Sequence, residues 1–316
     1  MAEYLVTGGC GFIGSHLVDA LLTRGDGVRV LDDLSSGKRE NLAPAARLTV
    51  GDVRDAGAVR TAIEGLDGCF HLAAIASVQR GNEDWAGTHA VNLTGAINVF
   101  DAARRAKGGA PVPVVYASSA AVYGDVTTMP LSEAGAVRPI SAYGADKLGC
   151  ELHGRVGGLV HGVPNIGLRF FNVFGPRQDP KSPYSGVISI FAGRLVAGQE
   201  LTVFGDGGQV RDFIYVGDVV GALLAAMAKA SDGAPEVFPE VFNVCTGRET
   251  SVLALAKLMS ELHGVEPRIA FAPPRTGDIR ISIGDPAKAQ AGLGHAARES
   301  LRDGLATTLA WLVKGA

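Results

Sequence analysis

Two patterns predict an α/β protein built on a doubly wound parallel sheet. Short β-branched runs alternate with longer amphipathic segments through the first two-thirds of the chain, and each strand-to-strand unit is about the size of a βαβ crossover. After Phe171 the texture changes to Gly- and Pro-rich loops over 172–186 and 204–211, which predicts a smaller C-terminal α/β lobe whose loops carry recognition. With 316 residues, 47% hydrophobic and 19% charged, the chain is large and apolar enough for one big α/β unit or two intimate lobes, and disorder is excluded. The expected division is 1–171 and 172–316, with the chain re-entering the first lobe around 212–245.

In order, strands are expected at 4–6, 29–32, 48–50, 68–72, 113–117 and 166–169, with returns to the sheet at 212–216 and 241–244. Helices are expected at 13–24, 59–64, 85–106 and 142–160, and Asp218 reads as the N-cap of a helix ending near Lys229. Val156, Leu159 and Val160 either face the sheet or supply apolar contacts to a second copy.

Several function classes drop out early. The net charge of −3 comes from interspersed acidic and basic residues, unlike the footprint of a general nucleic-acid binder. Cys10, Cys69, Cys150 and Cys245 lie 59 or more residues apart, so neither a disulfide framework nor a Cys-x-x-Cys site is expected and a reducing compartment is. No leader-like start and no apolar run near the ~20 residues of a spanning helix is present, so a cytoplasmic protein that does not enter membranes is expected. The seven histidines form no metal-ligand spacing, and no metal is expected.

Chemistry begins right after the first strand. Thr7-Gly8-Gly9-Cys10-Gly11-Phe12-Ile13-Gly14 puts Gly8, Gly11 and Gly14 where a strand meets a helix, so the backbone can approach a pyrophosphate lying on the helix N-terminus. Asp32 follows Gly14 by 18 residues at the end of the second strand, near the position from which a carboxylate meets the adenosine ribose hydroxyls. That charge would repel a 2′-phosphate, which favours NAD; Lys38 and Arg39 nearby leave NADP as the alternative. Asp52-Val53 and Leu72-Ala73-Ala74 fall at later strand ends, where a Rossmann-type sheet lines its cofactor crevice.

A second group sits on the fifth strand and the helix after it. The strand ends in Ser118-Ser119, and 24 residues beyond Ser119 comes Tyr143, with Lys147 four further on and therefore on the same helical face. An ammonium beside a phenol favours the phenolate, the form that accepts a proton.

On these residues the chain resembles the extended short-chain dehydrogenase/reductase family over nearly its whole length. The likeness is carried by the glycine run, Ser118-Ser119-Ala120-Ala121-Val122-Tyr123-Gly124, Tyr143-x-x-x-Lys147, Arg169-Phe-Phe-Asn172-Val-x-Gly175-Pro176-Arg177 and Gly205-Asp206-Gly207-x-x-x-Arg211-Asp212-Phe-Ile-Tyr. It is most similar to the UDP-hexose 4-epimerases, which implies a tightly held NAD and a catalytic set of Ser119, Tyr143 and Lys147, Tyr143 taking the 4-hydroxyl proton while Ser119 orients the sugar. Cofactor contacts implied by the resemblance are Gly8, Gly11, Phe12, Ile13, Gly14, Asp32, Asp33, Ser36, Gly37, Asp52, Val53, Leu72, Ala73, Ala74, Asn92, Ser118, Tyr143 and Lys147, with Ser118 read as the more structural of the two serines. Implied substrate contacts are Ser119, Tyr143, Asn172, Val187, Val203, Arg211, Arg275, Asp278 and Ser282, with the arginines clamping the diphosphate of a UDP-sugar.

Ala120 and Ala121 stand where dehydratase and decarboxylase relatives carry an acid, which argues against both reactions. Ser282 stands where a large residue would exclude a 2-acetamido group, and 177–180 with 182–184 resembles members acting on N-acetylhexosamines. UDP-N-acetylglucosamine is therefore the expected substrate, UDP-glucose a second, and UDP-glucuronate the alternative through Arg177 or Arg80, with nucleotide-sugar 4,6-dehydration as the alternative reaction. A redox-sensing module is the non-enzymatic alternative, although such a protein would be expected to lose Tyr143 or Lys147. The resemblance also implies a homodimer formed through helices 85–106 and 142–160.

Overall fold

Alternation along the first strand decides the layering, because successive strand residues face opposite sides. Leu5 enters a core with Leu31, Val99, Phe100 and Tyr116, whereas Tyr4 and Val6 enter another with Leu17, Val30 and Leu223. The computed structural model describes residues 1–180, 186–232, 239–274 and 279–315. In chain order the first elements are β1 (Glu3–Thr7), α1 (Phe12–Thr23), β2 (Gly27–Asp32), β3 (Arg47–Val50), α2 (Ala56–Ile63), β4 (Gly68–His71), α3 (Val78–Glu83), α4 (Trp85–His89), α5 (Gly95–Ala103), β5 (Val114–Ser119) and α6 (Ala142–His161). Next come β6 (Asn165–Phe170), β7 (Asn172–Phe174), α7 (Val187–Val196), β8 (Leu201–Phe204), β9 (Val210–Arg211), β10 (Phe213–Tyr215), α8 (Val216–Ser231) and β11 (Glu240–Val244). The chain ends with β12 (Thr250–Ser251), α9 (Val252–Leu262), β13 (Ile269–Ala272), β14 (Ile281–Ser282), α10 (Ala287–Leu293) and α11 (Leu301–Gly315).

Seven parallel strands form the main sheet in the order β11-β6-β5-β4-β1-β2-β3. Helices α1 and α8 cover one face through Leu17, Leu21, Leu223 and Met227, and α2, α5 and α6 cover the other through Val59, Val99, Phe100 and Cys150. This is the doubly wound, Rossmann-type arrangement. Strand order reverses between β1 and β4, so their carboxyl ends flank the crevice in which open α/β sheets hold ligands. The second lobe collects its own core from Phe174, Phe191, Leu255, Met259 and Leu305, under the short sheets β8–β13 and β12–β9–β14.

Three expectations need correction. The segment 212–216 does not return to the main sheet; β10 pairs with β7 in a separate two-stranded sheet, and only β11 comes back, beside β6. Asp218 is not an N-cap, since α8 already begins at Val216 and the carboxylate accepts from the Arg298 and Glu299 N–H groups, tying the approach to α11. The helix expected over 85–106 is interrupted by a π-turn at Ala90–Thr94. The Asn92 side chain exchanges hydrogen bonds with the Ile75 backbone, and the Cys150 thiol donates to the Asn92 carbonyl at 3.3 Å, interactions that hold the wider turn. Val156, Leu159 and Val160 turn out to face solvent rather than the sheet. No helix among the described residues is long and apolar enough to cross a membrane.

Tyr116 is wedged between α6 and β6, 1% exposed, with a Cβ on Gly167 placed only 2.7 Å from its ring. Gly167→Ala is expected to cost about 1–3 kcal/mol by overpacking, measured by urea unfolding; an unchanged midpoint would show that the ring gives way freely.

Candidate active site

The crevice is built first by close backbone approach. Gly8 leaves β1 at φ +70, and a Cβ there would lie 2.7 Å from the Ala73 nitrogen. Gly14, in the first turn of α1, packs so tightly on Gly8 that a Cβ would overlap its carbonyl oxygen. Gly11 at the N-cap offers no side-chain acceptor, so the helix start is left for an external anion. Asp32 ends β2, 6% exposed, its carboxylate accepting from the Cys10 and Leu34 N–H groups at 2.9 Å each. Burial pushes its carboxyl above the usual range, opposed by those two N–H groups. A cradle that any Cβ would fill, followed by a buried carboxylate at the next strand end, fits a dinucleotide. Lys38 pairs with Asp179 at 3.4 Å.

Around this cradle, Asp33 accepts from both the N–H and the hydroxyl of Ser35. Gly37, the residue after Ser36, packs so closely on Asp32 and Cys10 that a Cβ would lie 2.9 Å from each. The Asp52 carboxylate grips Arg54, whose hydrogen bonds hold it below the usual range, and Val53 is buried under Gly95. Leu72 and Ala73 donate their N–H groups to the Thr7 hydroxyl at 3.2 Å, fastening the 72–74 turn to β1. The same hydroxyl lies 2.8 Å from His71 Nδ1, within hydrogen-bond distance. Burial, helped by the charge of Lys147, lowers the His71 pKa to about 3.

The reactive side chains converge at the carboxyl end of β5. Ser119 starts a short turn, Ala120–Val122, and its Oγ accepts from the Ala121 N–H at 3.1 Å, leaving the hydroxyl proton free to be donated. α6 starts at Ser141, which caps the Gly144 N–H, and its first two turns carry Tyr143 and Lys147. The Lys147 ammonium is 3% exposed, donates to the Ala117 carbonyl at 2.9 Å and lies 5.9 Å from the Tyr143 ring centre. One lysine is thus fixed between strand and phenol, with two further protons to offer.

Across the crevice, Asp212 organises the second group. Its carboxylate is fully buried and accepts from the Thr246 N–H and hydroxyl, the Gly247 N–H and the Gly284 N–H; burial pushes its carboxyl up against these bonds. Its backbone holds Asn172 through the Asp212 carbonyl and Ser282 through the Asp212 N–H. Arg211 stands directly opposite Ser282 in the β9–β14 pairing, so Asn172, Arg211 and Ser282 gather around the Asp212 backbone.

Other expected positions fall differently. Val203 is fully buried in the core of the second lobe, packed against Gly207, and cannot present its side chain to a substrate. Val187, by contrast, is half-buried at the start of α7. The Ser118 hydroxyl points to the opposite side of β5 from Ser119 and donates to Glu151, so it does not line the cofactor crevice. Asn92 acts on the Ile75 backbone. Arg275, Asp278 and 182–184 lie outside the described residues. Sequence reading assigned no site role to Asp212, Thr7, His71, Glu151 or Arg169; Thr7, Arg169 and Asp212 stood within the motifs, and Glu151 lies four residues beyond Lys147 on the same helical face.

Fold and site together define a Rossmann-type dinucleotide-binding enzyme with a Ser, Tyr, Lys set. The NAD dependent epimerase/dehydratase family matches residues 4–245, and the chain belongs to that family and uses NAD. It is similar to a UDP-glucose 4-epimerase of Mycolicibacterium smegmatis, 38% identical over 311 residues, 96% of each chain. Among solved structures, the UDP-glucose 4-epimerase of Thermotoga maritima with UDP-glucose matches 99% of both chains, with TM-score 0.92 and 37% identity. A UDP-N-acetylglucosamine 4-epimerase from Methanobrevibacter ruminantium in complex with UDP-N-acetylmuramic acid matches 100% of this chain and 99% of its own, with TM-score 0.93 and 32% identity.

Unfolded, a histidine takes up its proton near pH 6.5; folded His71 does so only near pH 3. Between those values the unfolded chain binds more protons, so this group's contribution is present above pH 6.5 and is lost as pH falls, by up to about 1.4 kcal/mol per unit. His71→Asn should flatten that slope in urea unfolding at pH 7, 6 and 5; a variant with the wild-type slope contradicts the assignment.

Proposed function

We propose that the protein is an isomerase that inverts C4 of a UDP-hexose, acting on UDP-N-acetylglucosamine and UDP-N-acetylgalactosamine, with UDP-glucose and UDP-galactose as a second pair. The observation that carries this is the convergence of Ser119, Tyr143 and Lys147 without an acidic side chain at Ala120 or Ala121. The family name spans dehydratases as well as epimerases, so the choice rests on this chain's own residues. Eliminating water from C5–C6 needs an added acid, and the segment after Ser119 offers none.

Gly8, Gly11, Gly14, Phe12, Ile13 and Asp32 would hold NAD, which supplies the oxidation of the sugar's C4 and the reverse reduction. Tyr143 takes the 4-hydroxyl proton and later returns it, Lys147 stabilises the phenolate by its charge, and Ser119 donates to the same oxygen. Asn172 and Arg211 hold the nucleotide diphosphate while the keto sugar turns to present its other face. Arg211 suits that task because a guanidinium meets phosphate oxygens in pairs. Ser282, beside Arg211, leaves volume for an acetamido group. Of the two arginines that would receive the carboxylate of UDP-glucuronate, Arg177 is paired with Asp19 at 2.7 Å, which leaves Arg80 as the candidate for that alternative. The second copy of a homodimer would cover the exposed stripe Leu152, Val156, Leu159 and Val160 on α6.

Purified enzyme without added cofactor should convert UDP-N-acetylglucosamine and UDP-glucose to their C4 epimers on chromatography, and Ser282→Tyr should lose the acetamido substrate at least tenfold more than UDP-glucose. Conversion of UDP-glucose alone refutes the substrate choice. No conversion of any UDP-hexose refutes the reaction.

A further inference from the structure

A buried ion pair lies beneath the Ser, Tyr, Lys set without belonging to it. Arg169 of β6 is 4% exposed and Glu151 of α6 is 9% exposed. Arg169 Nε and Nη2 donate to the two Glu151 carboxylate oxygens at 2.8 and 2.7 Å. Two further bonds make the pair unusual in its placement. Ser118, directly opposite Arg169 in the β5–β6 register, donates its hydroxyl to Glu151 at 2.6 Å. Arg169 Nη1 donates to the Tyr123 hydroxyl at 2.9 Å, its guanidinium lying 4.8 Å from that ring centre, and Tyr123 donates onward to Asn243 of β11 at 2.7 Å.

Ser118 and Tyr123 bracket the segment that carries Ser119, so the pair fastens that segment at both ends. On α6, Glu151 follows Lys147 by four residues and Tyr143 by eight, about 12 Å along the axis. Helix side chains lean toward the N-terminus, which brings the Glu151 carboxylate back to the level of Ser118. The contact therefore sets how far α6 stands along β5, and with it the separation of Tyr143 and Lys147 from Ser119.

We infer that Glu151 and Arg169 are positioning residues for the reaction: the pair fixes Ser119 against Tyr143 and Lys147 without touching substrate or cofactor. This rests on the epimerase reading above and extends it. A displacement of the order of 1 Å in such a set lowers the rate about a hundredfold, so the effect belongs in kcat.

The test compares wild type, Glu151→Gln and Ser118→Ala, with Leu309→Ala, in the core of the second lobe, as a variant of reduced stability only. Glu151→Gln and Ser118→Ala should lower kcat for C4 epimerisation by about ten- to a hundredfold while KM and the NAD content of the folded protein stay within twofold. Leu309→Ala should melt earlier and keep its kcat. Wild-type kcat in folded Glu151→Gln and Ser118→Ala, or losses that merely follow melting temperature, overturns the inference and leaves the epimerase reading intact. A wild type that converts no UDP-hexose overturns the epimerase reading instead. Crystal structures then decide the positioning: Tyr143 and Lys147 displaced from Ser119 in Glu151→Gln supports it, and an unmoved set overturns it.

Discussion

The Glu151–Arg169 ion pair links one helix to two strands through hydrogen bonds within a single buried cluster. It ties α6 to β5 and β6, reaches β11 through Tyr123 and Asn243, and closes the space under Ser119. Such a pair adds little net stability over a well-packed apolar replacement, because desolvation opposes the Coulomb gain. Its value is directional: three strands and one helix meet at hydrogen-bond distances that a greasy core does not enforce. Burial works against the Arg169 charge, and the carboxylate more than offsets it, holding the guanidinium above its ordinary pKa.

From that frame the two sides of the crevice take different characters. On the cofactor side, glycine backbones meet at distances no side chain tolerates, and Thr7 and Asp32 lock the turns with hydrogen bonds to the backbones of neighbouring turns. On the substrate side, Asp212 gathers Asn172, Arg211 and Ser282 through its backbone neighbours. A rigid cofactor floor suits the proposed reaction, in which only the sugar ring would have to turn. Preorganisation of this kind leaves little to rearrange when charge develops on the C4 oxygen.

Much of this was legible in the sequence because it depends on local spacing. The glycine run, the Asp32 strand end and the Tyr143–Lys147 helical spacing each follow from one element and its neighbour. The alternation of strands and helices likewise gave the parallel sheet. What escaped depends on partners far apart in the chain. Asp212 looked like the start of a strand because its acceptors' donors, Thr246, Gly247 and Gly284, come 34 or more residues later. Asp218 resembled a cap because its true partners at 298 and 299 carry no sequence signal. Val203 was assigned to the substrate, yet alternation in β8 turns it into the core. The π-turn after α4 depends on Cys150 and Ile75, and helical periodicity alone does not encode it.

In the proposed reaction one C4 position is oxidised and reduced again within a single bound sugar. UDP-hexose carrying deuterium at C4, incubated with the enzyme in ordinary water and examined by NMR and mass spectrometry, tests this most directly. The expected product is a C4 epimer that retains the deuterium at C4. Loss of the label to solvent, or its appearance at C6 with loss of water, would contradict it.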